Sequence, residues 1–146
     1  MDDAGAREAP AIRRVVETAL YVDDMSRAVA FYRDALGLRV LGSEGARLTA
    51  MDAGGATLLL LFKRGATTTG FDFDGGRIPP HDGAGPAHVA FAVDAAEFER
   101  WERRLVDRGV EVESRVTWSR GGHSLYFRDP DGHSVELVTP RTWETY

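Results

Sequence analysis

The sequence predicts an α+β fold of two tandem βαβββ modules, and three observations predict it. Glu17-Thr-Ala-Leu-Tyr-Val22 leads into a helical stretch ending at Gly37, and His88-Val-Ala-Phe-Ala-Val93 leads into a second ending at Gly109. Each helix is followed by three short apolar runs separated by Gly- and Asp-rich turns. The repeat of about 70 residues is longer than a solenoid unit, so it reads as duplication of a small domain.

In the first module, a strand over Arg14 to Val22 sets Thr18, Leu20 and Val22 on one face and Glu17, Ala19 and Tyr21 on the other, because side chains alternate across a strand. Asp23 or Asp24 offers an N-cap to a helix over Met25 to Leu36, striped by Ala28, Phe31, Tyr32 and Ala35. Gly37 supplies its left-handed stop. Strands follow at Leu38 to Leu41, Arg47 to Met51 and Thr57 to Phe62, the last two joined at Asp52-Ala-Gly-Gly55. A Gly-, Thr- and Pro-rich loop, Lys63 to Pro86, leads to the second module. There a strand over His88 to Val93 precedes a helix with Asp94 and Glu97 as its capping box and Phe98, Trp101 and Leu105 as its stripe. Strands at Val110 to Glu113, Ser124 to Arg128 and His133 to Val138 complete it, with Asp129-Pro-Asp-Gly132 as the hairpin turn. The expected organisation is a flexible tail over 1–12, a first module over 13–66, a connecting loop over 67–86, a second module over 87–140 and a tail over 141–146. The two modules are expected to join through their sheets.

Composition narrows the function. A formal charge of -5 gives no basic field for a phosphate backbone, so nucleic acid is not an expected partner. No apolar run approaches the ~20 residues that span a bilayer, and the first ten residues hold no apolar leader core, so a cytoplasmic, membrane-free protein is expected. Without cysteine there is no thiolate nucleophile, and any metal must be held by His, Asp or Glu. The Gly-Gly pairs match no phosphate-binding loop.

Val22-Asp-Asp24, Phe31-Tyr-Arg-Asp-Ala-Leu-Gly-Leu38, Gly85-Pro-Ala-His88-Val-Ala-Phe91 and Tyr126-Phe-Arg-Asp-Pro-Asp-Gly-His-Ser-Val-Glu-Leu137 together resemble the vicinal oxygen chelate superfamily. That superfamily includes glyoxalase I, extradiol dioxygenases, fosfomycin-resistance thiol transferases and bleomycin-resistance proteins. The resemblance covers nearly all of Val15 to Thr139. It implies paired modules whose curved mixed sheets enclose a cavity with a divalent metal on its floor, and a homodimer whose site often draws ligands from both chains. The family's first His falls on Glu17, a departure from its pattern, while its second-module His and Glu fall on His88 and Glu136. The carboxylate found in glyoxalase I in the first module's last strand falls, counted four residues past Gly55, on Leu59.

Glu17, His88 and Glu136 would make a set of two carboxylates and one imidazole, suited to Mn, Fe, Ni, Co or Zn as the divalent ion. Three protein ligands leave positions open to substrate, the mark of a catalytic centre. The expected function is a glyoxalase-like metal-dependent enzyme acting on a small oxygen-rich substrate by lyase, isomerase or thiol-transferase chemistry, with Glu17 or Glu136 doubling as base. The rival is a metal-free protein that sequesters an antibiotic, as the bleomycin-resistance members do. Tyr21, Trp118, Arg120 and Tyr126 are candidate substrate contacts, Trp118 and Arg120 on a loop that could close as a lid. His81, His123 and His133 read as surface residues, and Arg100, Arg103 and Arg104 as a solvated helix face.

Overall fold

Alternation in the first strand has the expected outcome: Leu20 and Val22 are buried while Glu17 and Ala19 are exposed. A computed structural model describes residues 9–146, so the expected tail lies outside the described residues as far as position 8. Strand β1 (Glu17–Val22) leads to helix α1 (Met25–Asp34), and the Asp24 side chain accepts from the Arg27 N–H at 3.1 Å. Gly37 at φ 76° lets Leu38 N–H return to the Tyr32 carbonyl, which closes the helix end. Strands β2 (Arg39–Glu44), β3 (Leu48–Gly54) and β4 (Thr57–Lys63) follow. They form a sheet in the order β1-β4-β3-β2, with β1 parallel to β4 and the other pairs antiparallel.

The Lys63 to Pro86 stretch holds an unexpected hairpin, β5 (Phe71–Phe73) with β6 (Gly76–Ile78). The second module then repeats the first: β7 (His88–Ala92), α2 (Phe98–Asp107), β8 (Ser114–Thr117), β9 (His123–Arg128) and β10 (Ser134–Val138), with sheet order β7-β10-β9-β8. Two local expectations fail. The strand expected over Val110 to Glu113 forms four residues later, because Val110 N–H closes α2 on the Leu105 carbonyl while Val110 and Val112 pack onto the core. The Asp94–Glu97 capping box does not form either. A 3₁₀ turn over Ala95–Glu97 precedes α2, Asp94 makes no side-chain cap bond, and Glu97 pairs with Arg100 at 3.1 Å.

Among the described residues no strand of one module pairs with a strand of the other, so the modules do not join edge to edge into one sheet. They join through the faces that carry the helices. Leu20, Val22, Met51, Leu59 and Leu61 from the first sheet share one apolar cluster with Val89, Leu125, Phe127, Val135 and Leu137 from the second. Phe31 of α1 meets Phe127 at 6.2 Å between ring centroids, and Tyr32 meets Phe91 at 6.4 Å. Arg104, expected on a solvated face, instead donates to the Ala35 and Asp34 carbonyls at the end of α1, both at 2.9 Å. Polar bonds around the Asp129–Gly132 turn finish the junction. Tyr32 Oη donates to Asp129 Oδ2 at 2.7 Å, Asp23 N–H to Asp131 Oδ1 at 2.8 Å, and the Arg27 guanidinium to the Pro130 carbonyl. His133, read from sequence as a surface residue, is 1% exposed. Its Nδ1 accepts from Ala87 N–H and its Nε2–H donates to the Tyr21 carbonyl, each at 2.8 Å, so one neutral tautomer serves both modules.

Burial and the nearby Asp129 charge both hold the Tyr32 phenol far above its ordinary value, so it stays a donor to that carboxylate. Tyr32→Phe would leave the buried Asp129 carboxylate short of a partner. Urea unfolding of this variant is expected to show a loss of about 1–3 kcal/mol relative to wild type, and an unchanged midpoint would remove this bond from the junction.

Candidate metal centre

With one face of each sheet committed to the shared core, the other face of each is open. On the second sheet, the ladders align Ser134 with His88, Glu136 with Ala90, and Glu136 with Tyr126. His88, Ala90, Ser134, Glu136, Tyr126 and Ser124 therefore share the open face. His88 Nε2 lies 3.2 Å from Glu136 Oε2. The other atom of each group is already held. His88 Nδ1 faces the Ser134 carbonyl at 3.0 Å, and Glu136 Oε1 accepts from Ser124 Oγ at 2.5 Å. A carbonyl cannot donate, so Nδ1 carries a proton and Nε2 is left facing the carboxylate. Two electron-rich atoms at that distance need a cation or a proton between them. This donor pair, with its backing bonds, fits a divalent ion.

The support for Glu136 runs further. Trp118 Nε1–H donates to Ser124 Oγ at 2.8 Å, giving a chain from Trp118 through Ser124 to Glu136. Trp118, expected as a lid over substrate, is thus half-buried in the scaffold of the carboxylate. Arg120 is exposed and lines a separate depression with Arg141 and Trp143. Tyr126 lies beside the pair, its ring stacked 6.2 Å from His88. Burial first, then the Glu136 charge, raises its phenol above the ordinary value. Ser124 was not singled out from sequence, although its two-residue spacing from Tyr126 on one strand was the available signal.

Glu17 stands elsewhere, on the open face of the first sheet. It lines a cavity of about 490 Å³ with Ala19, Glu44, Arg47, Leu48, Leu60, Phe62, Ile78 and His81. Among the described residues, no three His, Asp or Glu side chains of one chain gather as a ligand set. The chain therefore brings His88 and Glu136 together and leaves Glu17 apart. The pairing also corrects the count for a fourth ligand. Ala19 opposes Leu60 as Ala90 opposes Glu136, so the equivalent position is Leu60, while Leu59 opposes Thr18 and is buried in the core. Leu58 pairs with Asp52 as Ser134 pairs with Arg128, so the match of Gly132 is Ala56, at φ 60°, and a count from Gly55 starts one residue early. A leucine stands at either place.

Two four-stranded modules with a His–Glu pair on an open sheet face are the arrangement of a glyoxalase-type protein. The sequence profile of the Glyoxalase/Bleomycin resistance protein/Dioxygenase superfamily matches residues 14–137, and the chain belongs to that family. It is 30% identical to the metallothiol transferase FosB of Staphylococcus saprophyticus over 129 residues, 88% of this chain and 78% of that protein. It is 31% identical to the glutathione transferase FosA of Serratia marcescens over 123 residues, 81% of this chain and 74% of that protein. The crystal structure of a lactoylglutathione lyase from Agrobacterium tumefaciens superposes with a TM-score of 0.81 at 36% identity, covering 90% of this chain and 96% of that one. The chain is an enzyme of the glyoxalase-like type.

Removing the charge beside Tyr126 separates the two causes of its raised phenol. In Glu136→Gln, the Tyr126 titration followed by ring-carbon NMR is expected to move down toward, but not below, its ordinary value, because burial remains. A divalent ion on Glu136 should move it in the same direction. No movement in either case would show that Glu136 does not act on this phenol.

Proposed function

We propose that the chain is a metal-dependent lyase or thiol transferase whose complete centre forms in a homodimer. His88 and Glu136 of one protomer and Glu17 of the other would hold the ion. The observation that carries this reading is the His88–Glu136 pair, 3.2 Å apart and backed by Ser134 and Ser124, on a face where no third ligand joins them among the described residues of the same chain. Two such faces, one with Glu17 and one with the pair, are left open by the core-to-core packing. Their neighbourhood is apolar as well as accessible. Val15 and Val16, just ahead of Glu17, are 70% and 51% exposed, and Ala19, Ala90 and Ala92 are exposed too. Exposed apolar surface of this kind suits a protein interface.

A bound divalent ion would supply Lewis acidity toward a carbonyl, enediolate or epoxide oxygen. The chain's own residues would do the rest. Ser124 and Trp118 fix the carboxylate, the Ser134 carbonyl fixes the imidazole tautomer, and Glu17 or Glu136 can take a proton from carbon or from a thiol. Tyr126, stacked on His88, can donate its phenolic proton to a substrate oxygen. The alanines on both open faces leave room for a small oxygen-rich molecule.

Metal titrations with Mn²⁺, Ni²⁺ and Zn²⁺ test the ligand set. Wild type is expected to bind one ion per chain, His88→Ala to lose binding, and Ser124→Ala to weaken it by roughly 10–100-fold. An equimolar mixture of Glu17→Ala and His88→Ala chains, unfolded and refolded together, should regain one intact site per mixed dimer. Absence of recovery, with both variants folded, would rule out a site shared between chains.

A further inference from the structure

His81 was expected to be a loop residue on the surface, yet the structure holds it by both its backbone and its ring. Its N–H donates to the Thr67 carbonyl at 2.9 Å, and its own carbonyl accepts from Thr67 Oγ at 2.6 Å. Thr67 is 1% exposed, so the clamp is anchored in the protein interior. The imidazole packs edge-on against Phe62, 4.6 Å between centroids, and its Nδ1 lies 2.5 Å from Tyr21 Oη. Glycine at position 83 is what allows the loop to come this close. A Cβ there would lie 2.4 Å from the Tyr21 ring.

Burial, and after it the Asp82 charge, raises the Tyr21 phenol, so it keeps its hydrogen, and the 2.5 Å contact lets it donate to His81 Nδ1. In that arrangement the ring's own proton lies on Nε2. Nε2 has no hydrogen-bond partner among the described residues, and it is not sealed in either, since Arg64 Nε is the one buried side-chain N or O atom left without a partner there. His81 lines the cavity that also holds Glu17, Ala19 and Leu60. With Tyr21 as donor, His81 presents an oriented N–H on the open face that the ion is read as sharing.

We propose that His81 is a catalytic residue of this centre: its Nε2–H donates to an oxygen of the bound substrate and stabilises the negative charge that develops there, with Tyr21 as the positioning residue behind it. The inference rests on the metal reading above. It narrows the substrate to one whose reacting carbon bears a carbonyl or epoxide oxygen, the group that gains charge on enolisation or ring opening. No proton leaves the imidazole in this role. Tyr21, expected as a direct substrate contact, acts instead through His81.

Two measurements decide it. In ¹⁵N NMR of metal-free protein, His81 is expected to show an unprotonated Nδ1 and a protonated Nε2 at neutral pH, and Tyr21→Phe should mix the tautomers. A proton found on Nδ1 in wild type overturns the proposal. With Zn²⁺-loaded protein and acetohydroxamate, a bidentate oxygen anion, as the probe, His81→Phe is expected to weaken binding about tenfold with Zn²⁺ affinity unchanged, whereas His81→Gln, which keeps an N–H donor, should recover most of it. Normal Zn²⁺ uptake with equal acetohydroxamate affinity in wild type and His81→Phe removes the role of His81 alone. Failure of wild type to take up Zn²⁺ removes the metal reading and this inference together.

Discussion

The contact on which this molecule depends is the junction between the helix-bearing faces of its two modules, pinned by the turn from Asp129 to His133. A buried histidine with both ring nitrogens bonded, one to each side of the junction, tolerates neither a rotated ring nor a displaced strand. Around it the carboxylate of Asp129 accepts from Tyr32 Oη and from the N–H groups of Asp131 and His133, so the turn is built from the same atoms that grip the first module. Because these faces meet each other, the remaining two cannot. Each sheet presents its other face outward, one with the His88–Glu136 pair and one with Glu17.

The second sheet's open face shows how much structure stands behind two side chains. A carboxylate that is only 7% exposed is costly without partners. Ser124 meets one oxygen, and Trp118 in turn fixes Ser124. The imidazole is oriented by a backbone carbonyl of the strand beside it, so strand pairing itself sets the direction in which Nε2 points. The first sheet's face is arranged differently: Glu17 has no such backing among the described residues, and the nearby imidazole of His81 is tied down by the connecting loop.

Much of the fold was legible in the sequence because it is local. Alternation in β1, the Asp24 cap and the positive φ of Gly37 and Gly109 are each set by residues within one turn or strand. The His88–Glu136 pair was legible too, since the family resemblance placed both residues on strands of the second module. What the sequence hid depends on long-range packing. Nothing in the pattern of Thr18, Leu20 and Val22 says that their face meets a second module rather than ending at its own helix. His133 and Arg104 looked like solvent-facing polar groups, and only the junction supplies the carbonyls and the amide that bury or bind them. The strand expected at Val110 lost its place because capping of α2 used the Val110 N–H first.

The opposite facing of Leu59 and Leu60 has a consequence for how such a protein could change. Leu60 lines the cavity beside Glu17, and its neighbour Leu59 is 1% exposed in the core. A glutamate at 60 would stand beside the Glu17 carboxylate on the open face. The same glutamate at 59 would put a charge among aliphatic side chains and threaten the fold. The alternation of one strand therefore decides which of two adjacent codons can take a new carboxylate and which is closed, so the pleat sets the direction in which the face can diverge.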